Sequence, residues 1–159
     1  MELWDAYDGD FQKIPGMHLV RGEPIPRGYY HLVADILVKH EDGTYLLMQR
    51  SPGKRNGGMW ESTSCGSAFQ GEDALTCAFR ELYEETGIQA ESLQKLGGFR
   101  GDHSFYVQYL CKTNMDKDQI RFQEGETVAY QWVTKEKLLS MYGSVMANRR
   151  MEPYVKELY

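Results

Sequence analysis

The order of its segments predicts an α/β protein, a mixed β-sheet flanked by helices. Three observations carry that reading. Runs rich in β-branched and aromatic residues recur along the chain: YYHLVADILVKH, TYLLMQR, SLQKLGGFR, SFYVQYLCKT and TVAYQWV. One stretch between them has helical period instead, with Leu75, Ala78, Phe79, Leu82 and Thr86 recurring as a core-facing stripe. After that helix strands resume, and they give way to helical text from Thr134 onward. The resulting order, β-β-β-α-β-β-β-α-α, leaves helices to cover the faces of one sheet.

Taken in order, residues 1–28 are polar and rich in turn formers such as Asp8-Gly9, Pro15-Gly16, Pro24 and Pro26. They read as a hairpin through ELWDAYD and FQKI, packed on a single domain spanning residues 1–159, with Trp4, Tyr7 and Phe11 as apolar anchors. The long strand from Tyr29 and the strand TYLLMQR are joined by the Asp42-Gly43 turn, which predicts a hairpin. SPGKRNGG is a loop, and MWESTSCGSA a short strand and loop. The helix is expected over Gln70 to Thr86, ended by Gly87. Gly97-Gly98 permits a bulge or a close backbone approach, and Thr134 is the expected N-cap of TKEKLLSMYG. The tail SVMANRRMEPYVKELY reads as a helix interrupted near Pro153.

Composition narrows the function. At 159 residues with 42% apolar and 26% charged residues, the chain is an ordinary globular domain with enough length for a core. No run approaches a membrane span, so no membrane partner is expected. The acidic N-terminus does not resemble a signal peptide, and the odd count of 3 cysteines suits a reducing cytoplasm. A net charge of −5 argues against a nucleic acid polymer as partner. A small phosphorylated substrate stays open, because a bound metal and a few local cations can supply positive charge.

The helix carries a second pattern. Glu81, Glu84 and Glu85 stand at i, i+3 and i+4, so their carboxylates share one sector of its surface. Crowded like charges cost stability unless a cation sits among them, and oxygen ligands suit Mg²⁺ or Mn²⁺. A solvated acidic face is the plainer alternative. Arg50, Lys54 and Arg55 lie in the loop ahead of this stretch, placed either to grip phosphate or to face solvent.

From Gly66 to Ile88 the chain fits G-x5-E-x7-R-E-U-x-E-E-x-G-U, U being bulky and aliphatic. This resembles the signature box of the Nudix hydrolases (MutT-like). The resemblance implies an α/β/α sandwich and a metal-dependent pyrophosphohydrolase, most often acting on a nucleoside diphosphate joined to another moiety. It implies Glu81, Glu84 and Glu85 as metal ligands, with Glu84 or Glu85 near the attacking water. It gives Arg80 the task of orienting the glutamates, and Gly66 and Gly87 the task of shaping the backbone. Glu72 falls at the expected helix start, where it either approaches the metal through water or offsets the positive helix end. An extra catalytic carboxylate from a later loop is common in the family. Glu124 and Glu126 are the candidates, and Glu126 fits better because it immediately precedes a strand. Homodimers are a common assembly in the family.

The part before the box resembles one branch in particular, the isopentenyl-diphosphate isomerases. The opening ELWDAYD, His31 and the run QRSPGKRNGGMWESTSCG are shared, and Arg50 and Lys54 fall where the isomerases hold diphosphate. Cys65 falls at the isomerase's working cysteine. Ser67, however, stands where a metal-binding histidine is expected, and His18 lies too far upstream to replace it. The box is intact, which favours hydrolase over isomerase and over a non-catalytic metabolite sensor. On this reading His31 is a hydrogen-bonded strand residue, Cys65 a small buried hydrophobe and His103 a surface residue.

Overall fold

The computed structural model describes residues 1–159. A two-stranded antiparallel hairpin, β1 (Leu3–Tyr7) and β2 (Lys13–Val20), precedes a seven-stranded mixed sheet. The sheet contains β3 (His31–His40), β4 (Tyr45–Arg50), β5 (Trp60–Glu61), β6 (Ser64–Ser67), β7 (Gln94–Arg100), β8 (Ser104–Thr113) and β9 (Thr127–Val133). Its path runs β5-β4-β3-β8-β7, with β6 paired to β3 and β9 to β4. Helix α1 (Ala74–Thr86) lies in the crossover from β6 to β7, and α2 (Lys135–Met141) and α3 (Glu152–Glu157) follow the last strand.

Strand β3 organises the three layers through its alternation. Leu32, Ala34, Ile36 and Val38 pack in one cluster with Cys77, Ala78 and Leu82 of α1. Leu37 points the other way, into a cluster with Leu138 and Met141 of α2 and Val155 of α3. Burying each large aliphatic side chain here contributes roughly 1.5–3 kcal/mol, so both faces of one strand are needed to hold the helices on the sheet. The α/β sandwich expected from the element order is the one found.

The β3–β4 hairpin is splayed, however, with pairing only at Lys39 and Tyr45. Beyond that rung β3 pairs in parallel with β8 along its whole length, while β4 turns to β9 and β5. The wedge this opens is filled by Thr63. Its hydroxyl accepts the Val38 N–H at 3.0 Å and donates to the Leu46 carbonyl at 2.6 Å, replacing two missing ladder bonds. Thr63 holds a left-handed φ of 67° to do so.

Helix α1 starts four residues later than its sequence pattern suggests. Asp73 is the N-cap, accepting the Thr76 N–H, and Gly71 with a φ of 89° still belongs to the preceding turn. The core stripe shifts with it: Cys77, Ala78, Leu82 and Thr86 are buried, whereas Leu75 is 42% exposed. Gly87, at a φ of 80°, ends the helix by donating to the Tyr83 carbonyl. A register shift between Lys95 and Gly97 marks the bulge expected at the paired glycines. Thr134 caps α2 by accepting the Lys137 N–H. Pro153 does not interrupt a helix but begins one: it sits in the first turn of α3, where a missing N–H costs nothing. No helix is long and apolar enough to cross a membrane. The cysteines are free thiols, Cys77 and Cys111 buried and Cys65 half-buried.

Candidate active site

A cavity of about 690 Å³ opens between α1, the loop after β4, the loop before β9 and the segment before α3. Of its 25 lining residues only Val33, Cys65, Phe69, Tyr106 and Ala147 are hydrophobic. Ligand sites are ordinarily mostly apolar, so this one is built for a charged, hydrophilic occupant. Arg50, Lys54, Arg80, Glu81, Glu84, Glu85 and Glu126 all line it, as does Gly66. The structure therefore gathers the proposed metal ligands, phosphate cations and catalytic carboxylates around one space.

Arg80 is the hub of the α1 wall. Its Nε and Nη2 each donate to Glu72 at 2.8 Å, and its Nη1 donates to Glu81 at 2.9 Å and Glu84 at 3.2 Å. Nη2 also reaches the Ser67 carbonyl at 3.1 Å, and the guanidinium lies 3.7 Å from the Phe69 ring centroid. Glu72 stands just ahead of the Asp73 cap and outside the cavity lining; it holds Arg80 and accepts the Phe69 N–H. Burial works to raise the Glu72 pKa, but the Arg80 and Phe69 hydrogen bonds bring it below the usual value. Gly66 serves the site by absence of bulk. A Cβ there would lie 1.9 Å from the Glu81 carboxyl carbon, so only glycine admits that carboxylate against β6.

The glutamates share the cavity without closing on one point, and no set of acids, histidines and cysteines stands at ligand spacing. Arg80 lies between Glu81 and Glu84 and leaves Glu85 unpaired. Burial pushes the Glu85 pKa well up, and the like charges of Glu61 and Glu81 add to the rise. Burial raises Glu81 and Glu61 as well, against the lowering by Arg80 and Arg50 respectively. Desolvated carboxylates, with Glu85 lacking a cation partner, are oxygen donors of the type that suits a hard divalent ion.

Of the loop cations Arg50 and Lys54 are committed to internal partners, while Arg55 lines the cavity with its side chain exposed. Arg50 forms an ion pair with Glu61 through Nη1, and its Nε donates to the Arg55 carbonyl at 2.7 Å. Lys54 pairs with Glu126, and the Glu126 carbonyl accepts the Ser51 N–H at 2.9 Å, so the two loops are stitched together. Glu124 does not line the cavity. Burial, with Arg50 nearby, lowers the Lys54 pKa.

A family model described as the NUDIX domain matches residues 29–155. The chain belongs to the Nudix hydrolase family. It is 28% identical over 151 residues to an uncharacterized Nudix hydrolase of Listeria monocytogenes, covering 91% of this chain and 86% of that one. It is 34% identical over 79 residues to an isopentenyl-diphosphate Delta-isomerase of Streptomyces avermitilis, which covers 49% of this chain and 40% of the isomerase. In fold it is similar to a Deinococcus radiodurans protein of known structure, with a TM-score of 0.81 at 20% identity and 99% of each chain covered.

Several residues of this Nudix cavity are not flagged by the sequence. Glu61, on the two-residue β5, is a fourth acid beside the box glutamates. Arg150 enters from the segment before α3 and is held by both oxygens of Asp35 at 2.8 Å. It donates to Cys65 Sγ at 3.3 Å and stacks 4.3 Å from the Tyr106 centroid. Burial and the Asp35 carboxylate drive the Cys65 pKa well up, so the thiol stays protonated and a poor nucleophile. His31 is sandwiched on one face by Trp4, at 4.1 Å, and its Nε2 bonds the Ser104 hydroxyl at 2.8 Å. Burial lowers its pKa to about 4, keeping it neutral. His103 and His18 are exposed and outside the cavity. Nothing in the sequence pointed to Glu61, Asp35 or Arg150, since none has a spacing that singles it out.

Proposed function

We propose that this Nudix hydrolase is a pyrophosphohydrolase dependent on Mg²⁺ or Mn²⁺. It cleaves the diphosphate linkage of a nucleoside diphosphate joined to another moiety, in a reducing cytoplasm. The observation that carries the reading is the gathering of Glu81, Glu84 and Glu85 with Arg50 and Lys54 around one polar cavity. Glu81, Glu84 and Glu85 would hold the metal, which when bound neutralises phosphate charge and acidifies water. Arg80 fixes the directions of Glu81 and Glu84. Substrate phosphates compete for Arg50 and Lys54, drawing them from Glu61 and Glu126. Releasing Lys54 frees Glu126 to take the proton of the attacking water, with Glu85 the other carboxylate placed to do so.

The test is a metal-dependent phosphate-release screen over nucleoside diphosphate sugars, ADP-ribose, dinucleoside polyphosphates and nucleoside triphosphates. Isopentenyl diphosphate is included, with its isomer monitored. Hydrolysis of any nucleotide compound supports the reading. Isomer formation without hydrolysis would replace it with a Cys65 mechanism, and silence from a folded protein would favour a metabolite sensor.

A further inference from the structure

A second wall of the cavity, around Arg150, is also built. Asp35 is 4% exposed in the middle of β3 and takes Arg150 through two bonds of 2.8 Å, from Nε and Nη2. Nη2 serves Cys65 as well. Nη1, with two N–H donors, bonds to nothing within the protein, while the side chain lines the cavity and is 20% exposed. Asn148 lines the same wall. Its Oδ1 accepts the Arg150 N–H at 3.0 Å, which leaves its amide nitrogen free to donate. The wall thus offers oriented donors, and Asp35 cancels their net charge.

The aromatic rings around the cavity point the same way. Tyr106 has Arg150 on it at 4.3 Å and Phe99 stacked at 4.9 Å. Phe69 carries Arg80, and His31 is covered by Trp4. Tyr106, the ring beside Arg150, thus already carries two internal partners and offers a planar base little open surface there, whereas Phe69, away from this wall, is 38% exposed. A group rich in oxygen acceptors finds a preoriented fork.

Resting on the hydrolase reading, the geometry points to Arg150 and Asn148 as the subsite for the moiety beyond the scissile diphosphate. That moiety is oxygen-rich and non-aromatic, either a polyol or a further phosphate. The plainer role for Arg150 is to tie the segment before α3 to β3, and the experiment separates the two.

Binding is measured by calorimetry with Mg²⁺ and analogues that resist cleavage. They are α,β-methylene-ADP, the ATP analogue with both bridging oxygens replaced by methylene, and α,β-methylene ADP-ribose. Wild-type protein is expected to bind one of the two larger analogues about tenfold more tightly than α,β-methylene-ADP, as one or two charge-assisted bonds provide. Which one gains identifies phosphate or polyol. Arg150→Met with Asp35→Asn removes both buried charges and avoids stranding one, and Arg150→Lys keeps the charge but withdraws the fork. Both variants are checked by thermal melting. In each, the gain should vanish while α,β-methylene-ADP binding stays within about twofold. A gain that persists in the folded variants, or no gain in the wild type, overturns the subsite and leaves Arg150 a structural tie. Failure of wild type to bind even α,β-methylene-ADP overturns the nucleotide reading itself and the subsite with it.

Discussion

Arg80 and Arg150 are similarly enclosed guanidiniums lining one cavity, each against an aromatic ring and each held by carboxylate oxygens. They differ in where their partners come from. Arg80 draws on Glu72, Glu81 and Glu84, all within eight residues, and Glu84 is open enough for water to replace it. Arg150 depends on one acid 115 positions away that water does not reach. On the proposed function, the first network aims side chains at a reaction. The second joins two distant pieces of chain and, in doing so, presents donors.

The largest effect should come from the Arg80 side. Glu85→Gln is expected to lower turnover about a thousandfold or more, as loss of a group acting on developing charge does. Its melting temperature should hold or rise, because a crowded buried carboxylate is relieved. A folded, fully active variant would sink the metal assignment. On the other wall stability suffers first. Arg150→Met strands Asp35 and should cost about 3–5 kcal/mol in urea unfolding, most of it recovered by adding Asp35→Asn. If the single variant unfolds like wild type, the contrast between the two arginines collapses. Arg80→Met should reverse the balance, costing about 1–2 kcal/mol of stability. Its turnover should fall about 10–100-fold, as for partners that orient metal ligands. At neutral pH the smallest effect belongs to His31, which bonds neither arginine and acts only in acid. Above about pH 6.5 it is neutral folded and unfolded. As pH falls toward its folded value of about 4, the unfolded chain gains the proton first, and stability declines by roughly 3 kcal/mol. His31→Gln should flatten that part of the stability–pH curve.

What the sequence showed and what it hid follow the same division. The box helix, its Gly87 terminus, the Thr134 cap and the bulge at the paired glycines are set by residues within one turn of each other, and they were legible. The start of α1 was misplaced because apolar period alone does not see Gly71 holding a left-handed turn and Asp73 supplying the cap. That shift carried Leu75 to the surface and took Glu72 out of the helix, into the grip of Arg80. Pro153 was read as a breaker because its position within the turn, not its presence, decides its effect. Lys54 and Glu126 were each assigned a role, but their pairing needed the two loops to be placed side by side. Asp35 gave no signal at all, since its partner is determined by tertiary folding.

The bond between Asp35 and Arg150 also bears on how the molecule is made. During synthesis the central strand emerges long before its counter-ion, and burying Asp35 alone would be costly. Parallel pairing of β3 with β8 waits in the same way, for a segment some seventy residues further on. A ribosome stalled short of Arg150 should therefore carry a nascent chain whose middle strand stays labile to protease. Completion of the sheet then waits until the arginine that faces the cavity reaches the strand it neutralises.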